Sequence, residues 1–179
     1  GSIEPDYGTV ENHGVTTQLL TLTLGFTSYL SGRENAILSS MFRGLTRKEA
    51  EERLDDIIEF SELGEFIDQP ISTYSSGMTT RLGFSIAYYA QPDVLLLDEV
   101  LSVGDADFRQ KSMKVMKDLI QSRDHTVVFV SHNSDQVRQL CNRCVWIEDH
   151  VVQMEGDTDE VLAAYEAFLK DGKALPVQR

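Results

Sequence analysis

Four consecutive apolar residues, Val94-Leu95-Leu96-Leu97, stand between the turn-forming pair Pro92-Asp93 and the carboxylates Asp98-Glu99. A run this short and continuous marks a strand covered on both faces, and such strands belong to parallel sheets with helices packed against them. The same character returns at 126–130, Thr-Val-Val-Phe-Val, which ends in Ser131-His132 and reads as a second buried strand. Between the two, helical spacing runs from Phe108 to about Arg123. Beyond them come a helix over 135–141, a hairpin of 145–147 with 151–154, and a last helix over 159–170. Strand and helix alternating at this spacing predict an α/β domain with a largely parallel sheet.

The first half of the chain has a different pattern. Pro5-Asp6-Tyr7-Gly8 is turn chemistry. Residues 9–18, with Leu19, Leu20, Leu22 and Leu24, read as short strands broken at Gly14, and 25–32 as a loop. A helix over 34–42 ends at Arg43-Gly44. Thr46-Arg47-Lys48-Glu49 is a capping box, in which the Thr oxygen accepts from the Glu amide while the Glu side chain reaches back. Behind it Ala50, Leu54, Ile57, Ile58 and Ser61 share one face of a helix running to about Leu63. The charged face opposite is read as solvated surface with no function. Residues 74–77 form a loop that opens a helix over 78–90. The helical stretch 34–90 is thus expected to form a lobe apart from the sheet.

Length and charge bound the possible roles. A chain of 179 residues holds one domain with a small inserted lobe. It has no apolar run of about 18 residues and no secretory leader, so it reads as soluble, with any membrane association running through a partner. A net charge of −13 argues against a general nucleic-acid surface, which needs clustered Lys and Arg. Cys141 and Cys144 are spaced C-x-x-C, but no second Cys pair or H-x-x-x-H completes a zinc site. They are read as two buried thiols at a helix-to-strand junction. Asp149-His150 falls at the hairpin turn, so His150 is expected at positive φ, with no metal role. Trp146 is read as core.

In open parallel sheets, ligands bind beyond the carboxyl ends of the strands. Here one strand ends in Asp98-Glu99 and the other in Ser131-His132. Of two adjacent carboxylates, one can hold Mg²⁺ through water while the other polarises an attacking water. A histidine on the neighbouring strand end can meet a transferring phosphoryl group. Tyr74-Ser75-Ser76-Gly77-Met78, opening a helix, offers backbone N–H groups and the positive end of a helix dipole, which suits an anion. Taken singly, each feature also reads as ordinary capping: a Ser N-cap, carboxylates capping the next turn, a strand-end histidine.

In order and spacing the set resembles the ABC ATPase family. Tyr74 to Met78 resembles its signature motif, Val94 to Glu99 its Walker B strand, Ser102-Val103-Gly104-Asp105 its D-loop, and His132 its switch histidine. The resemblance runs from Ile3 to about Phe168. Gly25-Phe26, Leu30-Ser31-Gly32-Arg33-Glu34-Asn35, the Tyr-Ser-Ser-Gly-Met loop and Glu99 to Asp105 further resemble the ATPases that export O-antigen, capsule or teichoic acid. The chain departs from the wider family in three places. Ser76 and Met78 stand where L-S-G-G-Q has Gly and Gln. Gly25 or Phe26 stands where a Gln contacts the metal and senses the membrane subunits, and Gln18 is too early to replace it. A phosphate loop, G-x-x-x-x-G-K-S/T, would precede Ile3, and no segment matches it; Gly1-Ser2 is either a cloning remnant or native.

The resemblance implies an α/β P-loop NTPase fold, a parallel sheet with an inserted helical lobe, here without the N-terminal phosphate-loop strand and helix. Residues 1–179 would be a partial ATPase domain, with a helical subdomain at 33–90 and half of a RecA-like catalytic core at 91–170. By the same resemblance the cofactors are ATP and Mg²⁺. Asp98 positions the metal, Glu99 is the general base and His132 meets the γ-phosphate. Tyr74, Ser75, Ser76, Gly77 and Met78 close on that phosphate across a homodimer, and Asp105 couples the two sites. Residues 25–29 and the lobe behind them face a transmembrane permease subunit, at the cytoplasmic face of the inner membrane. No nucleic acid is expected. Two other readings are a non-transport ABC ATPase acting on DNA or ribosomes, and a non-catalytic interaction module. Without a phosphate loop the chain alone is expected neither to hydrolyse ATP nor to fold as a tidy monomer, because the strand over 126–130 would have an unpaired edge.

Overall fold

The computed structural model describes residues 5–11, 13–98, 105–122 and 125–171. Its centre is a three-stranded parallel sheet in the order β1-β2-β3, made of β1 (Thr17–Leu19), β2 (Val94–Asp98) and β3 (Thr126–Val130). The register pairs Thr17 with Val94, Leu96 with Val128 and Asp98 with Val130. A clasp starts the sheet: the Thr16 amide and hydroxyl both donate to Asp93 Oδ2, each at 2.7 Å. These bonds, first from the hydroxyl and then from the amide, hold the Asp93 carboxyl below the usual range. Of the strands expected over 9–24, only 17–19 forms among the described residues. A strand needs a backbone partner, and past Leu20, whose amide still reaches the Leu96 carbonyl, the chain turns away over 22–25.

The two apolar runs differ in burial. In β2, Leu95 and Leu97 are buried while Val94 and Leu96 are half-buried. The strand over 126–130, expected to be buried, is not: Val128 is 49% exposed and Val130 59%. Two causes combine: Val128 and Val130 lie on the face opposite to Val127 and Phe129, which pack against the core, and β3 is an edge strand among the described residues. β3 pairs with β2 on one edge only, and its other side borders a cavity of about 1250 Å³ that separates it from β4 (Arg143–Glu148). Among the described residues no strand fills that gap, as expected of an unpaired edge.

β4 and β5 (Val151–Asp157) form a separate antiparallel pair, covered by α7 (Thr158–Asp171). Its turn holds Asp149 at φ 48° and His150 at φ 66°, the positive values expected of a two-residue hairpin. Trp146 is core, packed on Tyr165 and Phe168. The cysteines sit at the expected junction, Cys141 capping α6 (Ser134–Leu140) and Cys144 in β4, but both are half-buried because they line the same cavity. Burial raises both thiol pKa values, which favours the protonated thiol over the thiolate.

The helical region has its own core. α1 (Gly32–Phe42) and α2 (Arg47–Glu52) each open with a capping box, Ser31 with Glu34 and Thr46 with Glu49. The single helix expected to reach Leu63 is two. Arg53 stands at the break before α3 (Leu54–Ser61) and donates to the Tyr89 and Ala90 carbonyls. Those carbonyls end α4 (Ser76–Ala90), where a cation is favoured. α4 serves two cores at once. Leu82 and Ile86 join Ala36, Leu54 and Ile57 of the lobe, while Phe84 and Ala87 join Leu95, Leu97, Phe108 and Met116 of the sheet side. At Gly83 a Cβ would lie 1.7 Å from the Leu22 carbonyl, so only glycine lets the 20–24 segment cross the helix there. Among the described residues no helix is long and apolar enough to cross a membrane.

Candidate functional site

The carboxyl ends of β2 and β3 lie side by side. Asp98, exposed, ends β2 and pairs in register with Val130, two residues before His132. His132 occupies a bend held open on both sides. The Ser131 hydroxyl accepts from the Asn133 amide, and Asn133 caps α6 by accepting from the Asp135 and Gln136 amides. His132 is exposed, stands two residues past the Asp98–Val130 pair, and is among the residues that line the cavity beside β3. Glu99 and residues 100–104, which include Ser102, Val103 and Gly104 of the D-loop-like run, lie outside the described residues.

The predicted anion loop sits at the start of α4. Ser75 is its N-cap, accepting from the Met78 amide at 3.2 Å, so the helix begins at Ser76 rather than Met78. The Ser76 and Gly77 amides belong to the first turn, whose N–H groups have no acceptor within the helix. Ser75 and Ser76 are exposed. Tyr74 before them and Met78 after Gly77 pack inward. The Tyr74 hydroxyl donates to the Phe66 carbonyl at 2.7 Å, and Met78 packs on the lobe core. Burial, with Asp68 nearby, raises the phenol pKa. What Tyr74 offers a ligand is thus its backbone.

Asp105 caps α5 (Ala106–Gln121) by accepting from the Phe108 amide at 3.0 Å, and its other oxygen accepts from Arg81 of α4. The cap bond first and the guanidinium second hold its carboxyl below the ordinary range. The sequence reading missed Arg81, and it missed Glu62, which lies in the stretch it took for solvated surface. Glu62 accepts from Arg81 at 3.4 Å and from Lys111 at 2.6 Å. No local signal marks such contacts, because the partners stand 19 and 49 residues away in the chain. Asn35 was missed as well. It is fully buried, and its side chain accepts from the Thr27 amide and donates to the Thr27, Leu30 and Ser31 carbonyls, which pins the loop before α1.

The donor chemistry fits a hard cation held mostly by other ligands. No group of three or more His, Cys, Asp or Glu residues suited to a metal occurs among the described residues. Mg²⁺ keeps several waters and takes one or two carboxylates plus phosphate oxygens, so Asp98 at a strand end suits it. The α4 N-terminus suits phosphate.

The profile of the ABC transporter family matches residues 2–102, more than half of the chain. The chain is 46% identical over 165 residues to "O-antigen export system ATP-binding protein RfbB" of Klebsiella pneumoniae, covering 92% of this chain and 67% of that one. It is 44% identical over 173 residues to "Teichoic acids export ATP-binding protein TagH" of Staphylococcus haemolyticus, covering 97% and 65%. The chain thus spans about two thirds of the length of these relatives. Among solved structures it is similar to the ATP-binding cassette MJ0796, a dimer in a post-hydrolysis state with ADP and Pi. The TM-score is 0.60 at 22% identity, over 80% of this chain and 63% of that one. It is also similar to cbiO1 from Clostridium perfringens, with a TM-score of 0.57 at 21% identity over 86% and 61%. At such identities the structural likeness establishes the fold.

Proposed function

The chain belongs to the ABC transporter family, and from that premise we propose that it is the greater part of an ATP-hydrolysing subunit that powers polysaccharide export across the cytoplasmic membrane. Support for the substrate class comes from the O-antigen and teichoic-acid export proteins it resembles along nearly its whole length. The hydrolytic reading is carried by the register of Asp98 with Val130, which brings the acidic end of β2 against the Ser131-His132 end of β3.

In this reading Asp98 would help to hold Mg²⁺, which when bound would supply positive charge to offset that of the phosphates. Glu99 accepts the proton of the attacking water as general base. His132 donates a hydrogen bond to the γ-phosphate side, and the Ser76 and Gly77 amides, with Ser75, close on that side from the partner subunit of a homodimer. Tyr74 and Met78 anchor this loop through their inward packing, and Asp105 links the two sites. Residues 33–90 form the helical subdomain and 91–170 half of the catalytic core. The 179 residues contain no G-x-x-x-x-G-K-[ST] run, so the reading assigns the phosphate cradle to no residue here. A permease docks on residues 25–29 and α1, where Tyr29 and Phe42 are 78% and 62% exposed, and holds the subunit at the inner face of the membrane.

Two substitutions in the full-length protein test this. Glu99→Gln lowers turnover by about 100-fold or more and leaves ATP binding intact, because it removes only the proton acceptor. Turnover near wild type sinks the assignment. Ser76→Asp aims a carboxylate at the phosphate position and abolishes hydrolysis together with ATP-driven dimerisation. Normal ATP-dependent dimers by light scattering would place the loop elsewhere.

A further inference from the structure

The loop that opens α4 is entered through Tyr74, whose hydroxyl donates to the Phe66 carbonyl at 2.7 Å. Beside that hydroxyl lies Gly32, the buried first residue of α1. A Cβ at Gly32 would stand 2.2 Å from the Tyr74 oxygen, 3.0 Å from the Ile67 carbonyl oxygen and 3.1 Å from Ile67 Cδ1. Unbonded carbon and oxygen do not approach to 2.2 Å, so only glycine leaves the phenol its place. Backbone conformation does not call for glycine here. Gly32 is helical, and alanine is the better helix former. The missing methyl is needed for space alone.

Both sides of this contact are held. The Gly32 amide donates to the Gln69 carbonyl at 3.2 Å, the Ile71 amide to that of Leu30 at 3.0 Å, and the Ser72 amide to that of Ser28 at 2.9 Å. Ser31 and Pro70 form an antiparallel bridge. Arg33 closes the set, donating to both oxygens of Asp68 at 2.7 and 3.3 Å. Residues 28–33 are thus laced to 66–72, and the phenol of Tyr74 carries the same lacing up to the residue before Ser75. Burial first, then Asp68, raises the phenol pKa against the pull of the Gly32 amide, so the hydroxyl stays a donor to Phe66.

We propose that Gly32 is a positioning residue for hydrolysis: by leaving room for the Tyr74 hydroxyl, it fixes where the backbone of Ser75, Ser76 and Gly77 stands. It acts through Tyr74 rather than on the nucleotide. The proposal rests on the ATPase reading above.

The test uses the full-length protein with Gly32→Ala, Tyr74→Phe and the two together. The alanine methyl drives the phenol off the Phe66 carbonyl and displaces the loop, so kcat should fall about tenfold with KM for ATP unchanged. Tyr74→Phe keeps the ring and loses one hydrogen bond, which should lower kcat about threefold. It also removes the atom that the methyl strikes, leaving only the milder Ile67 contacts. The double variant should therefore rise to the level of Tyr74→Phe, a recovery that two independent losses cannot give. A double variant no better than Gly32→Ala would overturn the proposal, as would a kcat that only follows a fall in Tm. If Gly32→Ala does not fold, the other two variants decide: they must match each other below wild type in kcat, at unchanged KM, and any other result overturns it. A wild-type protein that does not hydrolyse ATP defeats the ATPase reading. A hydrolysing wild type beside a fully active Gly32→Ala defeats only this proposal.

Discussion

β2 and β3 are five-residue strands of nearly equal apolar character, paired along their whole length, and yet on the face they share Leu95 and Leu97 are buried where their partners Val127 and Phe129 are only half-buried. β2 has a strand on each side, and its Leu95 and Leu97 meet a face covered by Phe84, Phe108 and Met116. β3 has a strand on one side and a cavity on the other. A strand's burial is therefore set by its neighbours rather than by its own composition. A second contrast runs along the same line. The lobe closes on itself through helix caps, a buried asparagine and a shared helix, whereas the sheet side stays open at one edge.

The largest expected effect lies where the two regions meet. Phe84 is fully buried, stacked 6.2 Å from Phe60 and edge-on at 5.9 Å to Phe108, so Phe84→Ala should cost about 3–5 kcal/mol by chemical denaturation. A loss below about 1 kcal/mol would mean that this face of α4 is not core. Next is Asn35→Ala, which leaves the Thr27 amide without its acceptor and should cost about 1–3 kcal/mol, with faster hydrogen exchange over 27–31. Unchanged exchange there would remove Asn35 as the pin of that loop.

The capping glutamates give a pH dependence. Glu34 bonds to the Ser31 amide and hydroxyl, and Glu49 to the Thr46 hydroxyl and amide, which lowers both carboxyl pKa values in the folded chain. Their stabilisation is present above the ordinary glutamate range and is lost as pH falls through the lowered folded values. Glu34→Gln with Glu49→Gln should flatten the acid limb of a Tm-against-pH curve, and an unchanged slope would rule the caps out as its source. The smallest effect belongs to β3. Val128→Thr should change stability by no more than about 0.5 kcal/mol, because the side chain is half exposed. The open edge should still show itself in association: sedimentation of the 179-residue chain should find species larger than a monomer, and Val128→Lys should shift them toward monomer. A compact wild-type monomer would mean that the edge is covered.

Much of this was legible in the chain. Thr46 and Glu49 announced their capping box because both bonds fall within three residues, and the Ser31–Glu34 box carries the same signal. The positive φ of His150 followed from a two-residue turn between apolar strands. The strand end at Asp98, the place of His132 just past β3, and the Ser75 cap of α4 were legible for the same reason: each is a pattern of neighbours along the chain. The break at Arg53 was not, since its cause is a pair of carbonyls on α4, 36 and 37 residues away.

Periodicity, capping and turn chemistry are local, and by themselves they determined the α/β class, the order of the elements and which residues end the strands. Tertiary structure alone decided three things: how far Val128 and Val130 are exposed, that the cysteines face a cavity, and that Arg81 joins Glu62 to Asp105. Each depends on what another part of the chain brings alongside. A free-standing pattern carries no record of its neighbours, because burial and long-range ion pairs exist only once the backbone has brought distant segments together.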